Sequence, residues 1–382
     1  MSNTVYRLYP EKLGDASSLT FVGNEGEIFY DPTVGNIRIS DGATIGGKSI
    51  LIDQVQADYA AKNQFYVDPA RHDETYVETG SIINPFRTIL AAQTSIDIQI
   101  AAGTISPAAT NPIFIILSGS TSENVALTKG HIYLVGNNSS IHSPIYLTGV
   151  GSTANTTVSI SGSAATLDAN HFAITGLSIV APPGGKAISG IGTNPQRIFL
   201  KDVWITASGT TGTGFYQDNT GTGSITHGSD IKVSHSGSGD VYCFNIVKGT
   251  ATFSDVETSG ATQVGAAQSG TTLSFTQSEL DANGDCVVEA YGTGVISVSL
   301  SAISNTKANG HGVRLNSAYS TALIVNNVFS IDTYVGTGKA AYATTAVSSP
   351  YGLYAVGNAF APLTNTGKSP ILGITTLSSA FT

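Results

Sequence analysis

The sequence predicts an all-β protein whose body is a right-handed parallel β-helix, preceded by a small N-terminal β module and a short capping helix, and assembled as a trimer. Three observations predict this fold class. Charged residues are only 11% of the 382 residues while 43 residues are glycine, which is typical of a turn-rich β protein. A short apolar motif recurs about every 26 residues through most of the chain. No long helical period of apolar residues separates its copies.

The composition excludes several classes of protein. A net charge of −9 offers no basic surface for nucleic acid. No run of 18 apolar residues occurs, so no membrane partner is expected. Two cysteines are too few for a disulfide scaffold, and their apolar neighbours favour buried free thiols at Cys243 and Cys286. Free thiols favour synthesis in a reducing cytoplasm, and the first residues lack the pattern of a secretory signal.

Residues 1–60 predict a separate β module. Nearly half of the charged residues lie in the first 100 positions, which distinguishes this part from the rest of the chain. The segments Gly26–Tyr30 and Asn36–Ser40 alternate between apolar and polar residues around an Asp-Pro turn, the pattern of a β-hairpin. The module has too few large apolar side chains for a core of its own, so we expect it to oligomerise.

Residues 61–109 predict the segment that leads into the β-helix and caps it. A short strand ends at Pro69, because proline cannot donate to a strand ladder. Asn84 can cap a helix that has Pro85 in its first position, and we expect this helix over Pro85–Thr94. A stack of β coils exposes unpaired strand edges at both ends, and this helix is expected to cover the first of them.

Residues 110–361 predict the β-helix, because the recurring motif runs through them. Each copy is an apolar residue, two small or polar residues and a second apolar residue, although Gly228 and Ser278 depart from this rule. The copies are Ile174–Leu177, Leu200–Val203, Gly228–Ile231, Phe253–Val256, Phe275–Ser278, Leu300–Ile303, Val325–Val328 and Val356–Ala359. We expect eight of these residues to face the core: Leu200, Val203, Phe253, Val256, Leu300, Ile303, Val325 and Val328. The recurring motif is absent from residues 362–382, and we therefore expect this segment to form a C-terminal cap.

One resemblance concerns the N-terminal module. Gly26–Asp31 together with Ile37–Gly47 resembles a trimerising N-terminal module of phage fibre and receptor-binding proteins, which phage tropism determinants also carry. The resemblance covers about 50 residues. It implies a homotrimer that attaches to other virion proteins through this module.

A second resemblance concerns the segment that follows. Tyr66–Pro69, Asp73, Gly80 and Pro85–Ile89 resemble the first segment of pectate-lyase-like (pectin lyase-like) right-handed β-helices, which tailspikes and bacterial surface proteins share. This resemblance implies fold rather than activity. Together the two resemblances imply a fibre or spike of a virion, made in the cytoplasm of the host.

Stacked aspartates are the first candidates for chemistry. Asp202, Asp230 and Asp255 occupy the third position of successive motif copies, and Asn327 and Asn358 follow in the same column. Carboxylates about 5 Å apart would suit a retaining glycosidase. Turn-forming side chains explain the asparagine members of the column better, so we expect these aspartates to be structural.

The densest acidic group of the low-charge region gives the second set of candidates. If the protein is an enzyme, its catalytic residues would be Glu279, Asp281, Asp285 and Glu289, although a solvated turn explains them more simply. The order of acidic residues does not match a calcium loop, and the histidines lack metal-ligand spacing. No cofactor fingerprint occurs in a suitable context, so neither a cofactor nor a metal is expected.

Three functional hypotheses remain open. The preferred one is a structural fibre or spike of a bacteriophage virion, which adheres to host-surface glycan without catalysis. The first alternative is a tailspike that degrades polysaccharide as a glycoside hydrolase or lyase. The second alternative is a head fibre or decoration protein attached to the capsid. A convergent pair of acidic side chains in a groove would favour the enzyme.

Overall fold

A computed structural model describes most of the chain, and two compact units are distinguished in it. The described residues are 24–25, 28–31, 36–40, 42–43, 48–49, 63–71, 76–137, 144–237, 241–307, 309–331, 339–346, 348, 350–360 and 371–372. The first unit comprises residues 1–62 and 81–83, and the second comprises residues 63–80 and 84–382. Most of the predicted C-terminal cap, and residues 1–23 of the predicted N-terminal module, lie outside the described residues.

The first unit contains the predicted hairpin. Strands β1 (Ile28–Asp31) and β2 (Asn36–Ile39) pair antiparallel, with Ile28 opposite Ile39 and Asp31 opposite Asn36. Strand β3 (Lys48–Ser49) pairs antiparallel with β2. The alternation of side chains read from the sequence therefore predicts β1 and β2 correctly, whereas β3 was not predicted.

The second unit consists almost wholly of short parallel strands. In chain order the first fourteen are β4 (Gln64–Val67), β5 (Ile113–Leu117), β6 (Thr121–Ser122), β7 (Val125–Leu127), β8 (Ile132–Gly136), β9 (Tyr146–Thr148), β10 (Thr156–Ile160), β11 (His171–Val180), β12 (Lys186–Gly192), β13 (Arg197–Ser208), β14 (Thr213–Asn219), β15 (Ile225–Ser236), β16 (Tyr242–Lys248) and β17 (Thr250–Ser259). The remaining ones are β18 (Gln263–Ala267), β19 (Thr272–Thr276), β20 (Glu279–Ala282), β21 (Cys286–Ala290), β22 (Val295–Ser299), β23 (Ala302–Asn305), β24 (His311–Leu315), β25 (Thr321–Val325), β26 (Val328–Ile331), β27 (Ala341–Ala343), β28 (Gly352–Val356), β29 (Ala359–Phe360) and β30 (Ile371–Leu372).

These strands form a right-handed parallel β-solenoid, as the sequence predicts. One face is a ten-stranded sheet in the order β7-β10-β12-β14-β16-β18-β21-β24-β27-β30, to which each successive turn contributes one strand. The other strands pair in parallel along the remaining faces, β13 with β11 and β15 for example. Strand β30 falls within the segment predicted as a C-terminal cap and extends the ten-stranded sheet.

The predicted helix is present but begins and ends later than expected. Helix α1 spans Ile89–Ala101, with Thr88 as its N-cap, instead of Pro85–Thr94 with Asn84 as cap. The preceding residues stay extended because Phe86 donates its N–H to Tyr66 and accepts a hydrogen bond from Asp68. The Thr88 hydroxyl accepts from the Ala91 amide at 3.0 Å. No helix in the described part of the chain has the length and hydropathy needed to cross a membrane.

The helix start is held by a residue distant in sequence. Both oxygens of the Glu123 carboxylate accept hydrogen bonds, one from the Ile89 amide at 3.0 Å and the other from the Leu90 amide at 3.3 Å. A carboxylate at this end also interacts favourably with the helix dipole. The tertiary contact with Glu123 therefore acts together with the Thr88 cap at the start of this helix, and the local sequence reveals only the cap.

A left-handed backbone bend recurs at one position in eight successive turns of the solenoid. Strands β11, β13, β15 and β17 each bend at a residue with positive φ, for example Gly176 at 65° and Asp202 at 51°. The eight stacked positions are Gly176, Asp202, Asp230, Asp255, Gln277, Leu300, Asn326 and Gly357. Glycine, aspartate and asparagine adopt this conformation most readily, so the motif read from the sequence marks a bend in the chain.

The core is a continuous stack of apolar side chains inside the turns. Its centre holds four fully buried rings, with the centroids of Phe244 and Phe253 4.4 Å apart and those of Phe253 and Phe275 5.8 Å apart. Gly228 departs from the apolar rule for a steric reason. A Cβ atom at this position would lie 2.5 Å from Cδ1 of Ile231 and 2.6 Å from the ring of Phe253, so these two side chains occupy the space that another side chain would need.

Five of the eight predicted core residues are buried, and the sequence prediction is wrong for two. Leu300 is 57% exposed and Val328 is 50% exposed, while Val325 is half-buried. The predicted copies beyond Ser278 are displaced by one or two residues, since Val298 and Ile324 hold the position of Phe275. A shift of one residue turns a strand's side chains to the opposite face.

The same displacement corrects the predicted column of aspartates and asparagines. Asn327 and Asn358 follow the bend instead of occupying it, and their side chains lie inside the turns. Asn358 accepts from the Asn327 amide at 2.9 Å, and Asn327 accepts from the Ser301 amide at 3.0 Å. Ser301 and then Ser278 continue this ladder by accepting from the amides one turn earlier. Buried side-chain acceptors thus satisfy backbone donors that the bend frees.

The buried phenylalanine stack predicts a large stability difference between two substitutions. Phe253→Ala should lower the free energy of unfolding by about 3–5 kcal/mol, because it removes a ring and leaves a cavity. Leu300→Ala should have little effect, because this side chain is exposed and at a bend of positive φ. Urea unfolding of both variants measures the difference. Equal losses for the two substitutions would contradict the register given above.

Candidate functional site

A groove on the outside of the solenoid is the candidate functional site. It follows the bends of β11, β13, β15 and β17 and has a volume of about 750 Å³. Its lining residues come from successive turns and are Gly136, Pro144, Thr175, Gly176, Leu177, Ser178, Asp202, Trp204, Asp230, Ile231, Lys232, Asp255 and Glu257. A groove that follows the solenoid axis suits an extended ligand.

Three bend residues place their carboxylates in this groove. Asp202, Asp230 and Asp255 have φ angles of 51°, 55° and 51°, and all three are exposed. Parallel strands bring equivalent residues of adjacent turns about 4.8 Å apart, so the aspartates form a row. In the described part of the chain none of these side chains has a hydrogen bond or an ion pair. The predicted structural role explains their backbone, whereas their carboxylates remain available to a ligand.

A second row of side chains lies two residues further along each strand. Trp204, the single tryptophan of the sequence, is aligned with Lys232, and Lys232 is aligned with Glu257. The Lys232 amine and the Glu257 carboxylate form an ion pair at 2.6 Å. Trp204 is half-buried and lines the groove with its indole. The site therefore combines one aromatic ring with several hydrogen-bond acceptors, which is a set of groups that can bind a polyhydroxylated molecule.

The four acidic candidates predicted from the sequence do not converge on one site. Glu279 is exposed on β20 and is aligned with Glu257, one turn beyond the residues that line the groove. Asp281 is half-buried on the same strand, and its backbone exchanges hydrogen bonds with the Thr258 hydroxyl. Asp285 and Glu289 belong to the ten-stranded face, at the turn before β21 and within it. The four residues are close in sequence but lie on two different faces of the solenoid.

Glu289 is fully buried and is the centre of a polar cluster on that face. One carboxylate oxygen accepts from the hydroxyls of Tyr242, at 3.1 Å, and Tyr291. The other oxygen accepts from Arg314, at 2.9 Å from Nε and 2.5 Å from Nη2, and from the Asn316 amide at 2.8 Å. These partners lie on three of four successive turns, so the carboxylate ties the turns together.

The surroundings of Glu289 keep its neighbours in fixed protonation states. Burial and the hydrogen bond to Glu289 raise the pKa of Tyr291 to about 12. Burial, followed by the charge of Glu289, raises the pKa of Tyr242 well above its usual range. Both hydroxyls therefore keep their protons near neutral pH and donate to the carboxylate. With every acceptor position occupied, the cluster has a structural role in this conformation.

Asp285 extends the cluster towards solvent. Its carboxylate is 2.5 Å from the Lys307 amine and 3.6 Å from Nη1 of Arg314. The hydrogen bond from Lys307 is the main reason why the pKa of Asp285 is lowered. Arg314 thus bridges Asp285 and Glu289, which are the two predicted candidates that the fold brings together.

The cysteines are both buried and free, as the sequence predicts. Burial raises the pKa of the Cys243 thiol above its usual range, and the same cause raises that of Cys286. Neither thiol is therefore a ready nucleophile. In the described residues no group of three or more histidine, cysteine, aspartate or glutamate side chains is arranged to hold a metal ion.

Comparisons with known proteins find similarity at the level of structure only. No protein-family model matches the sequence, and no curated protein matches it. Pectin methylesterase PemA from Erwinia chrysanthemi is similar with a TM-score of 0.42 and 13% identity, over 76% of this chain and 92% of that one. A GH136 lacto-N-biosidase from Eubacterium ramulus gives a TM-score of 0.39 and 10% identity, over 81% and 69%. Tailspike protein 3 of bacteriophage CBA120 gives 0.26 and 11%, over 91% and 75%. None of these similarities assigns a ligand or an activity to this chain.

The buried cluster predicts a strong dependence of stability on Glu289. Glu289→Gln should lower the free energy of unfolding by about 3 kcal/mol or more, because it removes the closer and buried one of the two counter-charges of the half-buried Arg314. Glu279→Gln is the matched control, since it makes the same chemical change at an exposed position, and it should leave the unfolding transition in place. Urea unfolding at neutral pH compares the two variants. A transition for Glu289→Gln that coincides with the control would rule out this structural role.

Proposed function

We propose that the protein is a structural fibre or spike of a bacteriophage virion, and that its solenoid adheres to host-surface glycan through the groove without cleaving it. The observation that carries the adhesive part is the groove, which is lined along successive turns by Trp204 and by three exposed carboxylates that have no partner among the described residues. A sugar offers hydroxyl donors to the carboxylates and an apolar face to the indole. The resemblance of Gly26–Asp31 and Ile37–Gly47 to phage trimerisation modules supports the virion part.

The solenoid itself suits a ligand made of repeating units. Equivalent groups recur at each turn along the axis, so successive sugars of a polysaccharide can meet similar surroundings. Several weak contacts made together also give a higher total affinity than one contact alone. This argument concerns adhesion and requires no reaction at the aspartates.

Polysaccharide cleavage is the second candidate function, and the spacing of the aspartates favours it. Carboxylates about 5 Å apart on adjacent turns are close to the separation used by retaining glycosidases. Against it, all three aspartates are exposed, whereas the general acid of such enzymes is kept protonated by less exposed surroundings. The four other candidates, Glu279, Asp281, Asp285 and Glu289, lie on two different faces. We therefore favour adhesion.

The groove predicts that Trp204 is needed for glycan binding. Binding of the full chain to an array of purified bacterial capsular and O-antigen polysaccharides and neutral glucans should weaken about 10-fold or more in Trp204→Ala, as for a central aromatic contact. Phe199→Ala is the control, because Phe199 is 39% exposed on the same strand but does not line the groove.

The same array separates the competing functions. Adhesion predicts that bound polysaccharide releases no new reducing ends or unsaturated products, whereas their release would favour the degrading tailspike. Binding that survives in Trp204→Ala but is lost in Phe199→Ala would place the site elsewhere. A complete lack of glycan binding by the unaltered protein would favour the capsid-attached head fibre or decoration protein.

We also propose a homotrimer, in which residues 1–60 associate and attach to other virion proteins. Support comes from the N-terminal resemblance and from a sequence with only 11% charged residues, because monomers seldom expose so much uncharged surface. Three-fold symmetry would use one type of interface. Light scattering coupled to gel filtration should give about three times 39.2 kDa. A monomeric mass at micromolar concentration would contradict the proposal.

A further inference from the structure

We infer that the groove selects glycans by charge, accepting neutral or amine-bearing polysaccharides and excluding those built from uronic acids. This inference rests on the proposed glycan-binding function and adds the class of ligand to it. Its basis is the balance of charged groups that line the groove. Four carboxylates, those of Asp202, Asp230, Asp255 and Glu257, face one amine, that of Lys232.

The single amine in the lining cannot attract an acidic sugar. Lys232 is 2.6 Å from the Glu257 carboxylate, so its charge is already balanced within the protein. The three aspartates then leave the groove with three negative charges. Lys201 precedes Asp202 but is not among the lining residues, and including it would still leave two negative charges.

The row of aspartates gives this charge a definite geometry. The three residues stack on consecutive turns, and the parallel pairing of β13, β15 and β17 fixes their spacing at about 4.8 Å. Like charges held this close raise one another's energy, and an approaching carboxylate would add to that repulsion. A neutral sugar adds no charge, and an ammonium group relieves the repulsion.

Hydrogen-bonding chemistry leads to the same class of ligand. An ionised carboxylate only accepts hydrogen bonds, so the groove needs donors from its ligand. Hydroxyl and ammonium groups supply donors, whereas a uronate carboxylate supplies more acceptors. The indole of Trp204 adds a favourable surface for a cation, so amine-bearing sugars gain a further contact. Repulsion of the wrong ligand and attraction of the right one thus act together.

The bend allows the charge to be removed without changing the backbone. Asn is among the residues that most readily adopt a left-handed conformation, so Asp230→Asn should keep the φ of 55° while it removes one negative charge. Glu279→Gln is the matched control. It removes the same charge from an exposed position, one turn beyond the residues that line the groove.

The experiment measures binding of the full chain to three soluble polymers: chitosan, a neutral β-glucan and polygalacturonate. It is done with EDTA at low salt, so that no divalent cation bridges two carboxylates. The affinity of the unaltered protein for polygalacturonate should be at least about 10-fold lower than its affinity for the tighter-binding of the other two polymers. Asp230→Asn should reduce this ratio of affinities about 3-fold or more, and Glu279→Gln should leave the ratio unchanged. Raising the salt concentration to about 0.5 M should also reduce the ratio for the unaltered protein, because salt screens exposed charges.

The outcomes separate this inference from the function on which it rests. If the protein bound none of the three polymers and no other glycan on the array, this result would count against glycan adhesion itself. Binding to polygalacturonate at least as tight as to the other polymers at low salt would overturn the charge selection and leave glycan adhesion standing. If neither salt nor Asp230→Asn reduces the difference in affinity between the polymers, the charge selection would also be overturned, because the charge of the groove would not cause that difference. The salt series uses the unaltered protein, so the test does not depend on the folding of a variant.

Discussion

The larger part of the solenoid depends on one constraint, which is that its successive turns must bend at the same place. Parallel strands pair their backbones from turn to turn, so a bend in one turn has to lie over the bend in the next. The chain meets this requirement with a residue of positive φ in each turn, from Gly176 to Gly357. Most of these residues have small or polar side chains that tolerate the conformation. Leu300 is the exception, and its side chain is directed to solvent.

The bend connects the interior of the solenoid with its outer surface. Just inside it, Asn358, Asn327, Ser301 and Ser278 accept hydrogen bonds from backbone amides, and Val256 begins the apolar continuation of the same column. At the bend itself the aspartates project outwards. The turns with apolar residues inside are therefore the ones that present aspartates to the groove. Backbone geometry and the candidate binding surface have a common origin in this short segment.

Two groups of carboxylates in this low-charge protein have opposite surroundings. Glu289 is buried and accepts from two tyrosines, an arginine and an asparagine, so its charge is fully compensated. Asp202 and its equivalents are exposed in a concave surface and have no such partners in the described part of the chain. The first arrangement stabilises the stack of turns. The second leaves acceptors free, and for this reason the groove is the candidate binding surface while the buried cluster has a structural role.

The sequence by itself determined the fold class, because a motif of about 26 residues with alternating strands can bury its apolar side chains only by stacking turns. It also placed Asp202, Asp230 and Asp255 correctly at a turn, since aspartate favours that backbone conformation. Tertiary structure decided the register beyond Ser278, because Val298 and Leu300 are equally apolar and only pairing between turns shows which one is inside. It also added Glu123 to the Thr88 cap at the start of helix α1. The groove and the Glu289 cluster were hidden for the same reason: their members lie one or two turns apart in sequence, and only the stacking of turns brings them together.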